Sequence, residues 1–295
     1  MIDALSQIFF FFITLMAGFL GALMGIGGGI IVVPALTILF GIPIKEAIAI
    51  SIVTVVATSI SGGSSYVEQR ITNIRLAVFL ETSTTLGAFI GALLVLFVAG
   101  EHLYILFSIF AFYLAFSQMF SVKKEIKKME NNDFMTVSQD RISKFFNLMG
   151  DYFDESVNRR INYLVKNSMI GWMISFFAGL GSGLLGIGGG VFKVSAMNTF
   201  MNVPLKAAVA TSKFMIGVTA ATSAILYYVS GLLNLELVAP AALGTMLGAT
   251  IGTAIMNKLK VKWLKILFFA LMCYIGYNML GKGLILTFGL HLPFT

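Results

Sequence analysis

The chain has 295 residues, of which 58% are hydrophobic and only 11% charged, whereas a soluble domain is about 45 to 50% apolar and about 25% charged. Too few charged side chains are present to coat a water-facing surface, so the solvent this composition fits is lipid, and its 30 glycines suit the close helix contacts found there. One Cys and two His exclude a disulfide framework and a zinc or haem site built from those residues. The net charge of +7 is not a nucleic-acid footprint, because nine basic and seven acidic residues gather between Lys123 and Lys166.

Apolar blocks near the ~20 residues needed to span a bilayer lie on either side of that segment. In chain order they run from Ile2 to Met24, Ala47 to Tyr66, Leu76 to Val98, Leu103 to Val122, Met169 to Leu185, Ala207 to Val229, Leu237 to Met256 and Trp263 to Leu280. Two shorter runs, Ile30 to Phe40 and Val191 to Met201, make roughly 17 Å of helix each, too little to cross a ~30 Å core alone.

Both short runs follow the same element. Gly25-Ile26-Gly27-Gly28-Gly29 lies over Gly186-Ile187-Gly188-Gly189-Gly190 at a shift of 161 residues, and that shift also superposes Pro43 on Pro204, Lys45 on Lys206, Ser51 on Ser212, Tyr66 on Tyr227 and Asn73 on Asn234. Roughly a third of the positions from 17 to 94 match without a gap, so the chain is two homologous halves. Loop charges orient them. Arg70 and Arg75 put one loop inside, the loop at Glu101 and His102 reads outside, and the basic linker reads inside. In the second half the loop from Gly231 to Glu236 reads outside, and Lys258, Lys260, Lys262 and Lys265 read inside. Equivalent loops thus have opposite sidedness. The expected fold is an all-α polytopic membrane protein with two inverted-topology repeats of about five membrane helices each, short broken helices after GIGGG, and both termini external. The divisions are 1–122, first membrane repeat; 123–166, charged cytoplasmic linker; and 167–295, second membrane repeat. Counting the short runs as re-entrant half-helices would make the halves parallel, against the charge bias.

Three successive glycines break a helix, and a break inside lipid is tolerated only where protein or a water-filled cavity surrounds the freed backbone groups. Amides at the N-termini of the two short helices, exposed by Gly27, Gly28, Gly29, Gly188, Gly189 and Gly190, could face one shared anion; the alternative is a packing hinge. The isolated pairs Gly87/Gly91 and Gly248/Gly252 read as close helix contacts. Charged side chains within spans each cost about 2.5 kcal/mol or more unless they face a cavity or partner. Lys193 and Lys213 are the candidate anion ligands and Glu81 the candidate coupling group, with Val32, Ile52 and Ala242 at the equivalent positions of the other half. Snorkelling to an interface, or a structural ion pair between Glu81 and a lysine, is the plain alternative. Ser51, Thr54, Thr211 and Ser212 follow the Pro-x-Lys turns and could line an oxyanion site, although such hydroxyls usually bond the carbonyl one turn back.

No nucleophile and base pair accompanies Cys273, so an enzyme is not expected, and no cofactor is called for. Phe145, Phe146, Leu148, Met149 and Phe153 among the linker charges suggest an amphipathic helix on the inner membrane surface. Asp3 without a basic leader segment reads as a retained first span.

The duplicated glycine motif, Gly25 to Gly29 and Gly186 to Gly190, each followed by a proline, Pro43 and Pro204, resembles the TauE/SafE family of sulfite exporters. Its members show two related membrane halves, each with a GxGGG-type motif after the first span. The resemblance covers the membrane portion; the 44-residue linker is longer than the family pattern. It implies inner-membrane export of sulfite or an organosulfonate, here by a secondary transporter working by alternating access, since no nucleotide-binding motif is present. A channel-like anion pore or a membrane scaffold protein is the alternative. The expected partners are the lipid bilayer, a small sulfur-containing anion and a second copy in a homodimer, with no nucleic acid.

Overall fold

A computed structural model describes residues 4–24, 27–120, 134–135, 137–154, 158–256, 261–290 and 293. Gly25 and Ile26 of the first glycine motif, the basic start of the linker, Lys258, Lys260, His291 and the two chain ends lie outside the described residues. The elements in order are α1 (Ala4–Met24), α2 (Gly29–Leu39), α3 (Ile44–Glu68), α4 (Ile74–Phe97), α5 (Gly100–Phe120), α6 (Arg141–Phe145), β1 (Gly150–Asp154), β2 (Arg159–Tyr163), α7 (Ser168–Leu185), α8 (Gly190–Ser195), α9 (Leu205–Val229), α10 (Leu235–Met256) and α11 (Val261–Phe288). The protein is an all-α polytopic membrane protein apart from one small hairpin. Of the eight long spans expected, six helices are long and apolar enough to cross a membrane among the described residues: α3, α4, α7, α9, α10 and α11. The apolar stretches described in α1 and α5, Gln7–Ala22 and Gly100–Phe116, are shorter. The short run after each glycine motif is a separate helix, α2 in one half and α8 in the other, and α8 widens into a π turn at Ala196–Phe200.

Many large apolar side chains of the helices face outward, as on lipid-exposed surfaces. On α4 the large residues Val78, Leu86, Phe89, Leu94 and Phe97 face outward, while Ala77, Gly87, Ala88, Gly91 and Ala92 are buried. Lipid solvates the large side chains as well as a protein core would, so the small ones are left for helix contacts. Those contacts join α1 to α10 and α4 to α7, and they recur at the 161-residue shift. A Cβ on Gly18 would lie 2.6 Å from Thr245 Cα, and one on Gly179 would lie 3.0 Å from Thr84 Cα. A Cβ on Gly248 would lie 2.8 Å from the carbonyl carbon of Leu15, and one on Gly87 would lie 3.0 Å from that of Phe176. Each half therefore lends its fourth helix to the first helix of the other. The third helices of the two halves cross the same divide: Ser59 Oγ of α3 donates to Lys213 O of α9 at 2.5 Å, and Asn73 N, just past α3, donates to Thr211 Oγ1 at 3.1 Å. The end of α3 thus lies beside the start of α9.

The linker forms no amphipathic helix at Phe145 to Phe153. Its described part is the single turn α6 followed by the antiparallel strands β1 and β2, paired from Gly150 with Tyr163 to Asp154 with Arg159. The apolar period there is two, not 3.6: Tyr152 and Asp154 of one strand and Ile161 and Tyr163 of the other are buried, with Phe153 and Arg160 on the opposite face. Leu148, Tyr152, Ile161 and Tyr163 share a core with Leu76 and Leu80 of α4, Met201 and Met215. Polar ties hold this unit to both halves. Asn73 donates through Nδ2 to Tyr163 Oη at 3.1 Å and through the same atom to Met149 O at 3.2 Å, and Lys206 Nζ pairs with the buried Asp154 at 2.6 Å. Burial pushes the Tyr163 phenol up to about 12, partly opposed by the Asn73 bond and reinforced by the Asp151 charge. Asp140 accepts from Ser143 Oγ at 2.7 Å and Ser168 Oγ at 3.2 Å, tying α6 to the first turn of α7.

Candidate functional site

The two glycine breaks meet: a Cβ on Gly29 would run into the carbonyl oxygen of Gly186. Gly27 and Gly28 have φ of +89° and +74°, and Gly188 and Gly189 have φ of +77° and +63°, the left-handed region that a side chain disfavours. Gly28 and Gly189 are the residues that cap α2 and α8. Val55 and Ile216, which the repeat register equates, sit between the breaks: a Cβ on Gly27 would touch Val55 Cγ1 and Ile216 Cγ2 at 3.8 and 4.0 Å, and one on Gly188 would meet the same atoms at 2.9 and 3.1 Å. The middle glycines instead back onto the preceding helix, Gly28 against Ala17 O and Gly189 against Ala178 O.

Hydroxyls close the freed backbone. Ser51 Oγ is 3.1 Å from Gly29 O and 2.8 Å from Gly186 O, and its counterpart Ser212 donates to Gly190 O at 3.1 Å. Thr58 Oγ1 donates to Gly27 O at 3.0 Å. Some of the amides at the start of α2 are already committed: Gly29 N bonds Gly27 O, and Ile31 and Val32 N bond Gly28 O. Ser51 and Ser212 are therefore brought to the breaks as carbonyl partners. Thr54 is not, since it donates one turn back to Ser51 O at 2.7 Å, and Thr211 is spent on Asn73 N.

The three buried charges separate into two groups. Lys193, on α8, is fully buried and donates to Thr219 Oγ1 at 2.7 Å, while the Thr219 hydroxyl donates to Glu81 Oε1 at 2.6 Å. Lys193 Nζ is 3.9 Å from Glu81 Oε2, and Thr85 Oγ1 donates to Oε1 at 3.1 Å. Oε2 itself has no hydrogen-bond partner. Lys193 and Glu81, on elements of different halves, are thus one cluster. Lys213 is elsewhere. Its ammonium stands 5.3 Å from the Tyr66 ring centroid, with no hydrogen bond or carboxylate partner among the described residues. It opens on a narrow cleft, with room for little more than a water molecule in this conformation, lined by Ala22, Gly27, Thr58, Ile216, Ala249 and Thr253, which includes the first glycine break.

Gly62 makes room for this lysine, since a Cβ there would lie 3.2 Å from Nζ. The other half has Ser223 at that register position, bonded to Ala88 O. Thr58 and Thr219 escaped the reading of the sequence, although the 161-residue shift equates them and both follow the motif-facing serine by seven residues. One bonds the glycine break, the other bridges Lys193 and Glu81.

The described helices form a membrane fold with two glycine breaks brought together, and beside one of them a lysine with no carboxylate partner among the described residues. The chain matches the family described as sulfite exporter TauE/SafE over residues 10–279, and it belongs to that family. It is similar to the probable membrane transporter protein YunE of Bacillus subtilis (strain 168), 27% identical over 278 residues covering 92% of this chain and 96% of the relative. It is also similar to the probable membrane transporter protein YdhB of the same organism, 24% identical over 250 residues covering 84% and 87% of the two chains. No solved structure matches significantly.

Proposed function

We propose that the chain is a secondary transporter that exports a small sulfur-containing anion, sulfite or an organosulfonate, across the cell inner membrane by alternating access. The observation that carries this reading is Lys213: a buried ammonium without a counter-charge among the described residues, at a cleft floored by a helix break, is stabilised when an anion arrives. The halves act as inverted repeats, with the linker cytoplasmic and both termini outside. The crossing of α3 and α9, with Val55 and Ile216 at the contact, is the hinge on which the cleft changes sides. Glu81, held by Thr219 and Lys193, is the group that couples transport to the ion gradient.

The test is exchange in proteoliposomes. Labelled sulfite or methanesulfonate should enter vesicles preloaded with the unlabelled anion, saturate with concentration, and show counterflow. Lys213→Met, which keeps most of the apolar stem, should lose affinity for the anion while still inserting. Unsaturable flux proportional to voltage would identify a pore instead, and undiminished affinity in Lys213→Met would place the anion elsewhere.

A further inference from the structure

This inference rests on the reading of the Lys213 cleft as the anion site and concerns what that site selects. Among the described residues of the membrane helices, the buried charged side chains are Glu81, Lys193 and Lys213. Lys282 on α11 is only partly buried and donates to Thr37 O at the end of α2, and Lys45 reaches Leu96 O at the end of α4. Neither belongs to the core. Glu81 and Lys193 offset each other through Thr219 and at 3.9 Å directly. Among the described residues the core therefore carries one net positive charge, and it resides on Lys213.

We infer that the cleft selects anions by charge: it takes a monoanion, such as hydrogen sulfite or an organosulfonate with one ionised group, and discriminates against dianions such as sulfate. A monoanion at Lys213 makes the occluded core neutral. A dianion would leave one negative charge uncompensated in a cleft whose other polar side chains are the neutral Thr58 and Thr253, a state that a low-dielectric interior penalises steeply. No second cation is at hand to accept it, because the Lys193 ammonium is already engaged by Thr219 and the Glu81 carboxylate. Shape would not achieve this discrimination, since methanesulfonate and sulfate are both compact tetrahedra of similar size. Glu81 is thus a selectivity residue that acts at a distance, by cancelling the charge of Lys193.

The experiment is competition at one fixed pH in proteoliposomes of the full chain, with labelled methanesulfonate as the probe and unlabelled methanesulfonate or sodium sulfate as competitor. The wild type should prefer methanesulfonate over sulfate by about tenfold or more, equal to about 1.4 kcal/mol. Glu81→Gln frees the second positive charge, so sulfate should gain relative to methanesulfonate by a similar factor. Equal competition by both anions in the wild type would overturn the charge inference while leaving the transporter reading intact. An unchanged ratio in Glu81→Gln would also overturn it, and if that variant does not insert or takes up no methanesulfonate, the wild-type ratio decides alone. Uptake of no sulfur oxyanion by the wild type would remove the transporter reading and this inference together.

Discussion

Thr219→Val removes one hydroxyl from the centre of the buried charge cluster and keeps the side chain's branching. That hydroxyl accepts from Lys193 Nζ at 2.7 Å and donates to Glu81 Oε1 at 2.6 Å. Hydrogen bonds to charged groups contribute roughly 1.5 to 3 kcal/mol each, so losing both should destabilise the protein by about 3 kcal/mol or more. Thr58→Val is the internal control, because the same register position in the first half bonds only the neutral carbonyls Gly27 O and Val55 O, both at 3.0 Å. Its loss should be about 1 kcal/mol. Thermal unfolding of the detergent-solubilised protein should therefore order the variants wild type, Thr58→Val, Thr219→Val, with Thr219→Ser restoring most of the loss. If Thr219→Val is no less stable than Thr58→Val, or Thr219→Ser fails to rescue it, the hydroxyl does not bridge the two charges.

The paired glycine breaks give a second contrast, read by the same unfolding assay. Gly27→Ala should lose only the roughly 1 to 2 kcal/mol of its left-handed conformation, whereas Gly188→Ala should lose more, because its Cβ also meets Val55 at 2.9 Å. Asp154→Ala should release the linker from Lys206, seen as faster limited proteolysis, whereas Asp151→Ala, at an exposed pair with Arg160, should change little. The third contrast is acidic. Burial raises the Asp140 carboxyl, but the bonds from Ser143 and Ser168 outweigh it and hold it below the ordinary aspartate range. A depressed folded-state carboxylate stabilises fully above its unfolded value and loses that contribution as pH falls through the folded one. Linker proteolysis should accordingly accelerate as pH drops below about 4, and Asp140→Asn should be loosened already at neutral pH, with a flatter acid response.

The breaks and the repeat were legible because glycine triplets and an ungapped register are local patterns, and the structure puts Gly28 and Gly189 at the caps of α2 and α8. An ion pair between Glu81 and a lysine was foreseen as the plain alternative, but that the lysine is Lys193 was not legible. It depends on α4 crossing to the other half, and nothing in the sequence spacing of residues 81 and 193 announces that. Thr219 could have been found by carrying Thr58 across the shift, but its chemistry comes from a lysine and a glutamate that the first half lacks. The hairpin was hidden for another reason. Charges interleaved with aromatics satisfy a helical wheel and a period of two equally well over so short a stretch, and the buried Asp154 looked like a surface residue until Lys206 was placed beside it.

The exchange of helices between halves bears on how the chain is made. When α4 leaves the ribosome, the partner for its Gly87 and Gly91 stripe, α7, has not yet been synthesised, and α1 waits longer still for α10. Newly inserted first halves therefore sit in the bilayer with their narrow faces turned to lipid until the second half arrives. A duplicated protein of this design is not two modules joined by a linker. Neither half has a complete interior, so halves expressed as separate polypeptides should mature only when both are present in one membrane.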